Sequence, residues 1–389
     1  MRINYVLDSY FPTEKAYGVT TEHTINALVN LGNEVTLFCH KPNTYIEHNI
    51  LNAQIIYFEL SYLNKFLRKI SLASYGKISI ITWNLSRHLT YFENRKKLAV
   101  RFCDLFWTRD NPIPQHAKLN FQGTQVVEVH SNPSIRTYKL LNALDGNKVL
   151  ICPISKTLEE LMRISLPNNE ILWSPMGIQL EDTDTKELIS EIERHYGSPR
   201  DAISIGYFGK LAPNGISKGF EDLLDLGLEL SRQSVAFSLL FIGPRDSELK
   251  LLKTEIEKRG IGQDKISIQT HLPHKESLKL MRNCDFLMLP ANRDVNYSGF
   301  PLKALEYVAS LRVVLAAKTQ ANSEVFLQKF QPFWYEYHNV QALTEIVVQP
   351  PEIDFLKNYL LEGYRYAHQF TWVQRTKKIL DSINELSQV

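Results

Sequence analysis

The sequence predicts an α/β protein of two domains, each built on a parallel sheet. Three observations carry this reading. Short apolar runs alternate with helical stretches along most of the 389 residues, the pattern of βαβ units. The alternation is interrupted once, by a charged segment at 181–200, and restarts at Ile203. Several apolar runs end in Gly, Pro or Lys just before a helix start, the edge at which open parallel sheets bind ligands.

In order, residues 3–7 read as the first strand and 21–31 as a helix stopped by Gly32. Residues 34–39, 105–108, 125–129, 149–154 and 170–173 continue the first sheet. Segment 181–200 reads as linker plus a short helix. Strands at 203–210, 235–242, 266–269, 285–290 and 313–316 build the second sheet, and the tail at 370–387 carries a helix signal. The expected domains are therefore 1–180 and 201–369, joined by the 181–200 linker and followed by a 370–389 tail.

Composition narrows the function. Apolar residues make 44% and charged residues 22%, ordinary for a globular chain large enough for two cores. A net charge of +2 argues against nucleic acid as a partner. The four cysteines, Cys39, Cys103, Cys152 and Cys284, are too scattered for a metal or disulfide framework. Asn4 and Asp8 interrupt any signal-peptide core, and no apolar run approaches the ~18 residues of a membrane span. The expected setting is cytoplasmic, with attachment to the inner face of a membrane as a further expectation.

The most informative stretch is Tyr297-Ser298-Gly299-Phe300-Pro301-Leu302-Lys303-Ala304-Leu305-Glu306-Tyr307, which follows a strand-like run and opens a helix. Small residues leading into a helix start offer backbone N–H groups and the positive end of a helix dipole, which suits phosphate. Glu306, in the second helical turn, offers a carboxylate to a sugar diol. About ninety residues earlier, Ile203 to Lys210 is a strand ending in Gly209-Lys210, and Ser217-Lys218-Gly219-Phe220 leads into the next helix. Lys210 and Lys218 thus stand at the ligand-binding edge of a parallel sheet, placed to neutralise a diphosphate leaving group.

On these residues the chain resembles the retaining GT-B glycosyltransferases of family 4, the glycosyl transferases group 1. Strand-Gly-Lys, then Lys-Gly, then Gly-Phe-Pro-x-x-x-x-Glu follows the order of that family's donor half. Phe241-Ile242-Gly243-Pro244 and Cys284-Asp285-Phe286-Leu287-Met288-Leu289-Pro290 resemble two of its strands. The resemblance implies two Rossmann-like domains facing a central cleft, with a C-terminal helix crossing back to the first. It also implies transfer of a sugar, with retained anomeric configuration, from a UDP-, GDP- or ADP-sugar to a glycan or lipid-linked acceptor of surface polysaccharide or glycoconjugate synthesis.

Residue by residue, the resemblance places Lys218 and Lys210 on the donor diphosphate and Glu306 on the ribose. Ser298 stands where the family's Glu-x7-Glu motif has its first glutamate, and Gly299, Phe300, Pro301, Leu302 and Lys303 complete the donor loop. The backbone at Leu272 falls where the base is cradled. In the first half, Gly18, expected just ahead of a helix from Thr21, admits the diphosphate. His130, closing the strand that carries Glu128, donates to a sugar hydroxyl or steadies the leaving phosphate. Arg109 and Glu128 are acceptor-side candidates. Leu311-Arg312 replace the family's helix-ending glycine. No metal or other cofactor is expected, since lysines and helix dipoles carry the charge. Asp246-Ser247-Glu248 reads as a helix start and not a metal-binding acid pair.

Between Glu59 and Phe102 stand nine Lys or Arg (Lys65, Arg68, Lys69, Lys77, Arg87, Arg95, Lys96, Lys97, Arg101) against two Glu. Tyr62, Phe66, Leu67, Tyr75, Trp83 and Tyr91 interleave with them, as on a surface that docks on anionic lipid headgroups. Two other readings remain open at this point: a sugar-nucleotide epimerase or hydrolase of the same architecture, and a non-catalytic scaffold that binds nucleotide only.

Overall fold

The structure, a computed structural model, describes all residues except 14, 43–47, 74–76, 101–102, 112–120, 122, 145–147, 181–182, 199, 213–214, 271, 292–298, 327–328, 338 and 387–389. The chain forms two compact units, one of Met1–Gly177 with Trp372–Val389 and one of Ile178–Thr371.

The first unit is a seven-stranded sheet in the order β3-β2-β1-β4-β5-β6-β7. Its strands are β1 (Arg2–Tyr10), β2 (Glu34–His40), β3 (Gln54–Tyr57), β4 (Leu105–Arg109), β5 (Thr124–Val129), β6 (Val149–Pro153) and β7 (Glu170–Ile171). All neighbouring pairs are parallel; Tyr5, for instance, lies opposite Leu37 on one side and Trp107 on the other. Side chains on β1 alternate between the two faces. Ile3, Tyr5 and Leu7 enter one core, whereas Val6 enters another with Phe38, Phe58, Tyr91 and Phe106. The first core is completed by Ile379, Leu380 and Ile383 of the last helix, Trp372–Leu386. Burying three such side chains, at about 1.5–3 kcal/mol each, ties the tail to this unit.

The second unit is a six-stranded parallel sheet in the order β10-β9-β8-β11-β12-β13. Its strands are β8 (Ile203–Phe208), β9 (Phe237–Ile242), β10 (Ile266–Gln269), β11 (Phe286–Leu289), β12 (Val313–Ala317) and β13 (Phe333–Tyr335). Chain order reverses between β8 and β11, which makes their carboxyl ends a topological switch point. β3 and β13, absent from the expected strands, are short edge strands whose residues are mostly only partly buried, so neither leaves a strong apolar run.

Segment 181–200, expected as linker plus a short helix, holds the helix Thr185–Tyr196, which belongs to the second unit. The Tyr196 hydroxyl donates to the Asp285 carbonyl at 2.7 Å and accepts from the Val313 N–H at 3.2 Å, docking that helix on the amino edge of the sheet. The helix Leu302–Ala309 ends with Leu311 at φ 59°. That left-handed C-terminal turn is the one glycine usually makes. Leucine adopts it here at a cost of about 1 kcal/mol, offset by its burial to 2% exposure.

Candidate functional site

In the second unit, the carboxyl edge of β8 and β11 gathers most of the residues singled out above. Gly209 leaves β8 at φ 132°, and a Cβ there would lie 1.5 Å from the Lys303 Nζ. The ammonium of Lys303 therefore lies against bare backbone, 5.3 Å from the centre of the Tyr207 ring. Gly219, at φ 79°, closes the loop after Lys210; a Cβ on it would lie 2.3 Å from the Ala291 carbonyl oxygen. This close approach brings Lys218 beside the chain that leaves β11. The Lys218 N–H donates to the Leu211 carbonyl at 2.7 Å. Glu248 anchors the same loop, accepting from the N–H of Ala212 at 2.8 Å and of Arg245 at 2.7 Å. Its carboxylate thus caps the start of the helix Asp246–Arg259, as expected of a helix start.

Lys210, Lys218 and Lys303 feel one another. Burial and then the charge of Lys210 lower the Lys218 pKa, against the pull of Glu248. Burial, followed by the charge of Lys218, brings Lys303 down to about 7; Lys210 adds to this, while Glu306 and Glu248 oppose it. Gathering like charges in partly buried space costs stability, and a bound dianion would offset that cost.

Glu306 is engaged from across the sheet edge. His274 Nε2 lies 2.7 Å from Glu306 Oε1, and this hydrogen bond raises the His274 pKa, with burial opposing. His274 opens the helix His274–Met281, two residues after Leu272, so the expected base-cradling segment and the ribose carboxylate are brought together. Gly299, Pro301 and Leu302 are partly buried and Phe300 is buried. Ser298 and His271 lie outside the described residues.

In the first unit, β4 ends in Arg109 and β5 in Val129, with His130 next in the chain. Arg109 Nη1 donates to Thr20 Oγ1 at 3.1 Å. Asp110, at φ 60°, accepts the His130 backbone N–H on Oδ1 at 2.7 Å. Glu128 is buried with both oxygens in use. Oε1 accepts from Trp107 Nε1 at 3.1 Å and Arg375 Nη1 at 2.8 Å, and Oε2 lies 2.9 Å from His130 Nε2. Burial pushes the Glu128 carboxyl upward, but Arg375 and His130 overcome it and hold the pKa well below the usual range. His130 is lowered by burial and then by Arg109.

Residues 189–349, within the second unit, match the family described as Glycosyl transferases group 1. No curated protein matches the chain. Solved structures match it along its length. The sucrose-phosphate synthase of Thermosynechococcus elongatus does so at TM-score 0.71 and 14% identity, covering 100% of this chain and 99% of that one. The α,α-trehalose 6-phosphate synthase of Burkholderia multivorans gives TM-score 0.71 and 12% identity, with 100% and 99% covered. An E. coli structure described as trehalose-6-phosphate bound with UDP-2-fluoro glucose gives 0.68 and 11%, with 98% and 99% covered. The fold is GT-B.

Gly18 does not precede the first helix; it lies inside it, since that helix spans Ala16–Asn30. A Cβ on Gly18 would meet the Thr13 carbonyl oxygen at 2.2 Å, so the glycine is needed for the close approach of the preceding loop. Glu128, expected on the acceptor side, is buried, and its oxygens already meet Trp107, Arg375 and His130. The His130 ring, expected to donate to a sugar hydroxyl, already has its Nε2 on Glu128 Oε2. A neutral imidazole whose Nε2–H is given to a carboxylate presents Nδ1 as an acceptor.

The basic segment 59–102 is only partly a surface. Arg68 is buried, with Nη2 3.5 Å from Asp8 Oδ1, and Arg87 Nε reaches Asp8 Oδ2 at 2.5 Å. Leu67 and Tyr91 are core residues, and Lys97 pairs with Glu59 at 2.6 Å. The side chains of Tyr75, Lys77 and Arg101 lie outside those described. His274 and Arg375 were not anticipated as site residues. The only hint of His274 was its place beside Leu272; Arg375 had none.

Among the described residues no helix is long and apolar enough to cross a membrane. No cluster of metal-ligating side chains occurs among them either.

Proposed function

We propose that the protein transfers a sugar from a nucleotide-sugar donor to a glycan or lipid-linked acceptor. The observation that carries this reading is the convergence of Lys210, Lys218, Lys303 and Glu306 on the switch point of a sheet within the Glycosyl transferases group 1 match. Lys218 and Lys210 stabilise the departing diphosphate, the electrostatic contribution that is usually largest in such a reaction. Glu306, with one oxygen tied to His274, holds the ribose on the other. The bond from the anomeric carbon to the phosphate oxygen breaks and a bond to the acceptor oxygen forms on the same face. The acceptor proton passes to the leaving phosphate. The charge is supplied by lysine, so turnover proceeds without an added metal ion. An E. coli protein of the same fold is bound with UDP-2-fluoro glucose, in keeping with a nucleotide-sugar ligand.

Incubation with UDP-, GDP- and ADP-sugars and mass spectrometry of the products tests the reading. Sugar found on an added acceptor supports it. A released sugar isomer would identify an epimerase, and binding without turnover a scaffold.

The depressed Lys303 pKa gives an independent prediction. Above pH 7 this side chain is largely neutral in the free protein, and a bound diphosphate restores its proton. Calorimetry at pH 8 in buffers of different ionisation enthalpy should therefore show proton uptake on nucleoside diphosphate binding. Affinity should fall as pH rises through 7 to 9, and Lys303→Met should abolish the uptake.

We also propose that one face of the first unit rests on anionic membrane. The helices Tyr62–Ala73 and Lys77–Glu93 leave Tyr62 88%, Phe66 53% and Ile81 63% exposed. Exposed Lys65, Lys69, Arg95 and Lys96 lie in the first of these helices and in the short helix Arg95–Val100 that follows the second. Apolar side chains set among cations suit a headgroup boundary. Sedimentation with vesicles containing anionic lipid should carry the protein down, and Phe66→Ser with Ile81→Ser should weaken this severalfold. Equal, negligible binding to neutral and anionic vesicles would sink the idea.

A further inference from the structure

On the amino edge of the second sheet, opposite the lysine cluster, lies a cavity of about 390 Å³. Five cations line it, Arg194, Arg200, Lys279, Arg282 and Arg312, against the single carboxylate of Glu191. Arg312 is buried. Its Nε donates to the Arg282 carbonyl at 2.8 Å, Nη2 donates to the same carbonyl and reaches Glu191 Oε1 at 3.4 Å, and Nη1 donates to the Leu311 carbonyl at 2.8 Å. Arg200 Nη1 is held by the buried Asp285 Oδ1 at 2.6 Å. These two arginines supply fixed positive charge, with most of their N–H groups already committed.

Arg194 and Arg282 differ from them. Both are exposed, and among the described residues neither side chain has an ion-pair or hydrogen-bond partner. Lys279 pairs only along its own helix, with Glu276 at 3.0 Å. A cation in the last turn of a helix is favourable in itself, which accounts for Arg194 and Lys279 separately. It does not account for two helix ends, Arg200 and a buried Arg312 facing one cavity with so little negative charge. The space is within the range of small-molecule sites, and guanidinium forks on mobile stems suit the oxygens of phosphate.

We propose that this cavity is a second anion site, separate from the donor edge, that takes a compact phosphorylated ligand. The inference does not rest on the glycosyltransferase reading, because none of its residues belongs to the lysine cluster.

Inorganic pyrophosphate is the probe, titrated calorimetrically into the full chain at low salt. A Lys218→Ala background weakens the donor edge. In that background the protein should bind pyrophosphate, and Arg194→Ser with Arg282→Ser should weaken this binding by at least about tenfold. A control pair, Lys253→Ser with Lys258→Ser, removes the same charge from an exposed helix of the same unit and should leave it within about twofold. If the cavity pair and the control pair have equal effects, or the cavity pair has none, the site does not exist. Should the double variant fail to fold, Arg282→Ser alone carries the same comparison.

Discussion

Replacing Lys218 with alanine is expected to lower turnover of the nucleotide-sugar by about 10²- to 10³-fold, or ~2.7–4 kcal/mol of transition-state stabilisation, the loss typical of removing one preorganised group facing developing charge. The loss should fall mainly on kcat, since charge on the leaving diphosphate grows as the sugar bond breaks. The variant should melt no lower than the parent. Lys218 lowers the Lys303 pKa and is itself lowered by Lys210, so its removal relieves repulsion, as at other sites where function is held against stability. It should also bring the Lys303 pKa back up and shrink the proton uptake at pH 8. Steady-state kinetics beside a thermal melt checks both sides, and a near-normal rate would refute the role of Lys218.

Arg375→Ala should destabilise the first unit by about 3–5 kcal/mol, the cost of leaving a buried charge without its partner. Arg375 is 3% exposed, and its contact with Glu128 joins the last helix to the end of β5 across 247 positions of sequence. The double variant Glu128→Gln with Arg375→Met should recover much of the loss, because no charge is then stranded. Four of the five tryptophans, Trp83, Trp107, Trp173 and Trp372, lie in this unit, so denaturant unfolding followed by tryptophan fluorescence reads it directly. The pH dependence has a definite sign. The folded Glu128 pKa is depressed, so its contribution is full above the unfolded value of about 4.3 and declines as pH falls below that. The stability gap between the parent and Glu128→Gln should accordingly narrow on acidification below about pH 4.5 and stay level above it.

The two variants probe parts of the protein that were unequally visible beforehand. Lys210, Lys218 and Glu306 could be picked out because their significance is local. Each stands within a few residues of a strand end or helix start, and the carboxyl edge of a parallel sheet follows from that order of elements. His274 could not be found this way, since its partner Glu306 lies 32 residues on and no local pattern links them. Gly18 was misread because the first helix begins at Ala16, earlier than its apolar run suggests. The charge pattern of 59–102 suggests a single face, yet Arg68 and Arg87 turn inward to Asp8. A count of charges along a helix does not say which of them find a buried carboxylate.

The order of strands and helices, the two sheets and the residue types at the carboxyl edges were decided in the linear chain, because hydrophobic periodicity and Gly/Pro punctuation act over a few residues. The state of those residues was decided only by packing. Whether Lys303 carries its proton, what His130 meets and which partners Glu128 holds all depend on charges and burial contributed by distant segments. Electrostatic energies in partly dry space depend on separation through space and on access to water. Both are properties of the folded chain and leave no periodic trace in its sequence.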